Sequence, residues 1–190
     1  MKWILLALSP GLMWVSLFSQ GQPAVNVDLG MVIDAFAPGD QVSMPITLVT
    51  RNDPQVAKIS LEIGYPSRLI SFVEATLGSG AEAAGAEVKT ELVETAESAG
   101  TGMEMGMDEP QDLELKILRL DISASSVIPQ GVLVNLTFEL SEEITLNHEI
   151  PLENLELTAQ SLDGQEIRAR GLGGSISPIE PIPACFFYMH

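Results

Sequence analysis

Apolar and polar residues alternate along most of this chain, and the alternation has the period of two that marks half-buried strands. Val25, Val27 and Leu29 alternate with Asn26 and Asp28 in a first short strand. After the turn Ala37-Pro38-Gly39-Asp40, the stretch from Gln41 to Thr50 puts Val42, Met44, Ile46 and Leu48 on one face. Pro45 interrupts that stretch, and because proline has no ladder donor the strand is expected at an edge or bulged there. Arg51-Asn52-Asp53-Pro54 turns the chain into Ile59, Leu61 and Ile63, which alternate with Ser60 and Glu62. Tyr65-Pro66-Ser67-Arg68 reads as the next turn, and a further strand runs from Leu69 to about Thr76, closed by Gly78.

The middle of the chain is less regular. Residues 79–87 are small and acidic and read as a loop, and 87–95 recovers enough alternation for a strand or a short amphipathic helix. Residues 96–111, with Met103-Glu-Met-Gly-Met-Asp-Glu-Pro, have no sustained period and form an exposed insertion. From Asp112 to Ser123 the apolar set shifts by one residue, from Leu113, Leu115 and Ile117 to Leu118, Leu120 and Ile122. Such a shift predicts a bulge or a strand passing between two sheets. Val132, Val134, Leu136, Phe138 and Leu140 then give the cleanest alternation in the chain. Leu155, Leu157 and Ala159 make another strand face, and Asp163-Gly164 is a hairpin turn into Glu166-Ile167-Arg168-Ala169. Gly171 to Gly174 loosens the chain, and Ser177 to Pro183 reads as a proline-rich spacer within the tail 173–190.

Eight or nine short strands with no long helix indicate an all-β antiparallel sandwich occupying residues 22–172. Its expected core is Val42, Ile46, Ile59, Leu61, Ile63, Leu69, Phe72, Leu120, Ile122, Val134, Leu136, Phe138 and Leu157.

The first 21 residues depart from this pattern. Lys2 followed by an apolar run to Phe18 and then Ser19-Gln20-Gly21 has the layout of a cleaved signal peptide, so the expectation is an exported protein, secreted or periplasmic, that does not span a membrane once cleaved. Cys185 is the only cysteine, which leaves no internal disulfide and suits a bacterial source. A formal charge of −17 repels phosphate backbones and argues against a nucleic-acid partner.

Candidate chemistry is sparse. His148 lies in a polar loop, His190 ends the chain, and no Gly-x-Ser-x-Gly accompanies them, so neither forms a triad or a zinc site. Acidic pairs such as Glu142-Glu143 and Asp108-Glu109 are too common in so acidic a chain to mark a glycosidase pair. The oxygen-rich run Asp108 to Asp112 could hold calcium, but it lacks the Asp-x-Asp-x-Asp-Gly loop, and no cofactor is assigned. Asn135-Leu-Thr137 fits a glycosylation acceptor and reads as an outward-facing strand pair. Trp3 and Trp14 both belong to the signal, so no aromatic platform for crystalline polysaccharide is available. Catalytic and metal-ligating residues are therefore none, and the binding surface is left unassigned.

The order Ala37-Pro-Gly-Asp-Gln-Val-Ser-Met-Pro-Ile-Thr-Leu48, Ile59-Ser-Leu-Glu-Ile-Gly-Tyr-Pro-Ser-Arg-Leu69, Leu120-Asp-Ile-Ser123 and Ile128-Pro-Gln-Gly-Val-Leu-Val-Asn-Leu-Thr-Phe138 resembles the cohesin domain and its relatives in the bacterial carbohydrate-binding-module superfamily. The resemblance covers about Val25 to Ala169, with Tyr65-Pro66 standing where the family has Tyr-Asp-Pro. It implies a nine-stranded jelly roll that binds rather than catalyses. The implied partner is a dockerin-like or other secreted protein, linked to polysaccharide degradation or the cell envelope; a carbohydrate-binding module is the alternative.

Overall fold

The computed structural model describes residues 24–34, 36–93, 115–144 and 148–179. The expected signal, the insertion 96–111, the Asp108 to Asp112 run, Cys185 and His190 lie outside these residues. Twelve strands and one short helix follow in order: β1 (Val25–Leu29), β2 (Met31–Asp34), β3 (Gln41–Thr50), β4 (Val56–Pro66), β5 (Ile70–Leu77), α1 (Ser79–Ala83), β6 (Glu87–Val93), β7 (Leu115–Ser123), β8 (Gly131–Leu140), β9 (Ile150–Ser161), β10 (Glu166–Ile167), β11 (Ala169–Leu172) and β12 (Gly174–Pro178). Nine of the strands are five residues or longer, which matches the expected jelly-roll sandwich. One sheet has the order β11-β1-β3-β8-β5, and the other runs β2-β12-β9-β4-β7-β6 with β10 on β9.

The alternation read from sequence is what closes the two layers. Val42, Met44, Ile46 and Leu48 from β3 and Val134, Leu136 and Phe138 from β8 pack in one buried cluster with Ile59, Leu61 and Ile63 from β4. Of the expected core residues, Leu69, Phe72 and Leu157 are half-buried and the others are buried. Phe138 sits at the centre, edge-on to Phe72 in its own sheet at 6.0 Å and to Tyr65 of the facing sheet at 5.5 Å.

Tyr65 is therefore a core residue at the end of β4, and the turn begins after Pro66. Burial pushes its hydroxyl above the ordinary value of 10.0, and a hydrogen bond at the Phe72 backbone pulls the other way. A pKa raised by folding gives stability that is complete below the unfolded value and is lost as pH rises through the folded one. Denaturant midpoints measured from about pH 8 to 12 should fall on the alkaline side for the parent protein more steeply than for Tyr65→Phe.

Several local readings change. Pro45 lies in an interior strand, because β3 pairs with both β1 and β8. It is tolerated there because β1 pairs only as far as Ile46, and the chain turns away at Gly30, whose N–H donates to the Pro45 carbonyl at 2.9 Å. The expected bulge is present one residue on, between Ile46 and Thr47. Residues 79–83 form α1 rather than a loop: Gly80 and Ala81 are buried, and a Cβ on Gly80 would sit 3.1 Å from the carbonyl oxygens of Pro129 and Val132. Residues 87–93 form a strand, β6. The loosened Gly171 to Gly174 segment and the start of the proline-rich spacer contribute β11 and β12. These last strands run parallel to β1 and β2, so that the segments β1–β2 and β11–β12 change sheets side by side. At the crossing, a Cβ on Gly174 would run into the Gly30 carbonyl.

The one-residue shift before Ser123 is neither a bulge nor a change of sheet. β7 pairs with β4 from Ser123 to Leu115 without a break, and Leu115 and Ile117 point outward while Leu118, Leu120 and Ile122 point into the core. Of the first apolar set, Leu115 and Ile117 belong to the outer face.

Candidate functional site

The outer face of the larger sheet is assembled from rows of residues set by strand register. Lys89, Asp121, Ser60 and Thr158 form one row across β6, β7, β4 and β9, and Glu91, Arg119, Glu62 and Glu156 form the next. Arg119 anchors the second row. Its Nε and Nη2 donate to Glu62 Oε1 at 2.9 and 2.6 Å, and Nη1 reaches Glu91 Oε2 at 3.4 Å. Hydrogen bonding to Glu62, and then its charge, hold the guanidinium above its ordinary value. The Ser60 hydroxyl donates to Asp121 in the row beside it. Together Ser60, Leu61, Glu62, Arg119, Glu156 and Thr158 line a shallow depression of about 230 Å³.

Beyond this polar centre the same face becomes largely apolar, with the exposed Glu153 opposite Gly64 on β9 as its charged member. Val93 pairs with Ile117 and Ile117 with Gly64. Register slips between Glu62 and Ile63, leaving Leu155 of β9 as the extra residue, and its side chain lies over Gly64, where a Cβ would sit 3.2 Å from Leu155 Cδ1. Leu115 pairs with Pro66, and the band ends at Pro151, Ser175 and Met31. Leu115, Leu155 and Met31 are 41%, 46% and 73% exposed. An apolar strip of this kind beside a hydrogen-bonded charge network has the make-up of a docking surface, with an apolar interior and a polar border.

The outer face of the other sheet differs. Ser43, Pro45, Glu74, Thr76, Asn135 and Thr137 lie there in paired rows of mostly small polar side chains. Asn135 and Thr137 do face outward, as the sequence predicts. His148 is exposed in the loop before β9, and Glu142 and Glu143 are exposed on the turn after β8. Neither feature is brought to the Arg119 row. Among the described residues, no three His, Cys, Asp or Glu side chains come together to hold a metal ion, and no helix is long and apolar enough to cross a membrane.

Two face-packed sheets, with first and last strand pairs that change layers together and one outer face largely apolar beside its charge network, define a jelly-roll β-sandwich module. The chain belongs to the cohesin family, whose domain model matches residues 25–169. The sixth cohesin from scaffoldin B of Acetivibrio cellulolyticus, solved in complex with a mutant Cel5 dockerin, superposes with a TM-score of 0.60 at 14% identity, covering 82% of this chain and 99% of that one. The cohesin of the Coh-OlpA-Doc918 complex from Clostridium thermocellum gives 0.59 at 16% identity over 82% of this chain and 99% of its own. A non-cellulosomal cohesin from the archaeon Archaeoglobus fulgidus gives 0.59 at 16% identity, covering 87% and 99%. At these identities the likeness speaks for the fold. No curated protein sequence matches the chain significantly.

Proposed function

We propose that this cohesin is a secreted, non-catalytic protein-binding module of a bacterium, which seats a dockerin-type partner on the outer face of β6, β7, β4 and β9 and thereby takes part in polysaccharide degradation or envelope assembly. The observation that carries the reading is the asymmetry of the sandwich: one outer face joins an apolar band to the Arg119 network, whereas on the other the exposed Val49 and Val73 stand apart, on separate strands, among mostly polar side chains. A sheet face is rigid before binding, so little conformational freedom is lost when a partner docks. Structural relatives solved with bound dockerins supply the partner class.

A polysaccharide ligand has less support. The aromatic residues among the described ones are Phe36, Tyr65, Phe72 and Phe138, and none of these four rings is exposed to a sugar face. Titration calorimetry of the folded protein against a panel of purified dockerin modules from the producing organism, with and without calcium, tests the proposal. One-to-one binding of at least one module with a dissociation constant of about 1 μM or tighter is the expected result. Absence of binding across the panel in both conditions would overturn it.

A further inference from the structure

We infer that the chain's own aromatic segment, Phe186 to Met189, folds back onto the apolar band of the larger sheet and covers it until a partner displaces it. The band is the docking face proposed above, so the competition with a partner rests on that reading, whereas the seat itself does not. The direction of the last strand sets the starting point. β12 carries the chain past Ser175, which lies in one row with Pro151 and Met31 of the band, and on to Ile179. There the Ile179 N–H donates to the Asp34 carbonyl at 2.9 Å, so residues 180–190 start from the end of the sheet that carries the band. The residues before β1 start from the opposite end, because β1 and β2 run the same way as β11 and β12.

Length and composition decide the occupant. An extended proline-rich spacer advances about 3.1 Å per residue, so the stretch from Ile179 to Cys185 spans about 19 Å. The row of Ser175 lies only about 13 Å back along the strand direction, and β9 is about 4.8 Å to its side. Glu180-Pro-Ile-Pro183 is therefore long enough to bring Cys185 beside Glu153 and the residues after it over Leu155. Phe186-Phe-Tyr188 is the only run of three aromatic residues in the chain; Met189 extends it, and none of the four is charged. The exposed side chains of Met31, Leu115 and Leu155 present the matching apolar surface, and joining the two removes both from water. A tether this short holds the segment at an effective concentration on the order of 1 mM, which favours the band of the same chain over that of a second copy at micromolar protein.

Cys185 is the chain's only cysteine, so a second thiol reports where the segment lies. In the full chain, Glu153→Cys puts that thiol on the band, and Arg68→Cys puts it on the turn after β4, equally exposed and by register nearer to Ile179. With oxidised glutathione as oxidant, the disulfide to Cys185 within one chain is expected to form about tenfold faster in Glu153→Cys than in Arg68→Cys. Adding Phe186→Ser/Phe187→Ser to Glu153→Cys should abolish that advantage. Equal rates, a faster Arg68→Cys, an advantage that survives the two serines, or products linked between chains, by mass, would overturn the seat. Calorimetry then reads the competition: Phe186→Ser/Phe187→Ser alone should bind the dockerin module that the parent binds about tenfold more tightly, because the face no longer has to be uncovered. If the disulfide comparison succeeds and this affinity does not rise, the seat stands and the partner docks elsewhere. If no module binds the parent, the docking reading fails while the disulfide comparison still decides the seat.

Discussion

Phe138→Ala is expected to remove about 3–5 kcal/mol of folding stability, measured as the loss in extrapolated unfolding free energy in urea. The ring is fully buried, and it joins the two layers: Phe72 lies against it within its own sheet and Tyr65 reaches it from β4. Truncation leaves a cavity whose walls are strands held by ladder hydrogen bonds on both sides, so the site has little freedom to collapse. A single domain is ordinarily stable by about 5–15 kcal/mol, so the loss is a large share of the total. A measured cost below about 1 kcal/mol would mean that the layers do not meet at Phe138.

The layers were legible in the sequence wherever a strand has one dry face and one wet face. Val42 to Leu48, Ile59 to Ile63 and Val132 to Leu140 fall in this class, and so does Val25 to Leu29. The errors share a cause, which is that a local signal was overruled by a neighbour remote in sequence. Proline at 45 costs a ladder bond only if a strand runs alongside, and β1 has already turned away at Gly30. Tyr65 precedes a proline, yet its ring still reaches Phe138. Leu115 and Ile117 look like a slipped core pattern because an apolar outer face writes the same letters as a core. Helix α1 has no apolar stripe to announce it, since Gly80 and Ala81 are chosen to let backbones approach.

The candidate site was not legible at all, and register explains why. Arg119 meets Glu62 across 57 residues of chain and Glu91 across 28, and Ser60 meets Asp121 across 61. No spacing rule within one strand links such positions. The hint in the sequence is the apolar residue at both outward positions, Leu115 and Ile117, which by pattern alone looks like a bulge or a strand passing between sheets.

The double substitution Leu115→Gln/Leu155→Gln is expected to weaken partner binding by about 30-fold to 100-fold, because it puts neutral polar groups in the middle of the apolar band without touching the charge network. Both side chains are already exposed, so the change should leave the fold and its unfolding midpoint nearly as they were. The opposite sheet supplies a matched control: Val49 and Val73 are exposed to a similar degree on the smaller sheet, away from the band. Titration of one bound dockerin module into the parent protein and both double variants compares the two faces under the same conditions. If the larger sheet carries the function, Leu115→Gln/Leu155→Gln loses affinity by that amount and Val49→Gln/Val73→Gln remains within about twofold of the parent; equal losses, or a loss confined to the Val49/Val73 variant, would contradict the account.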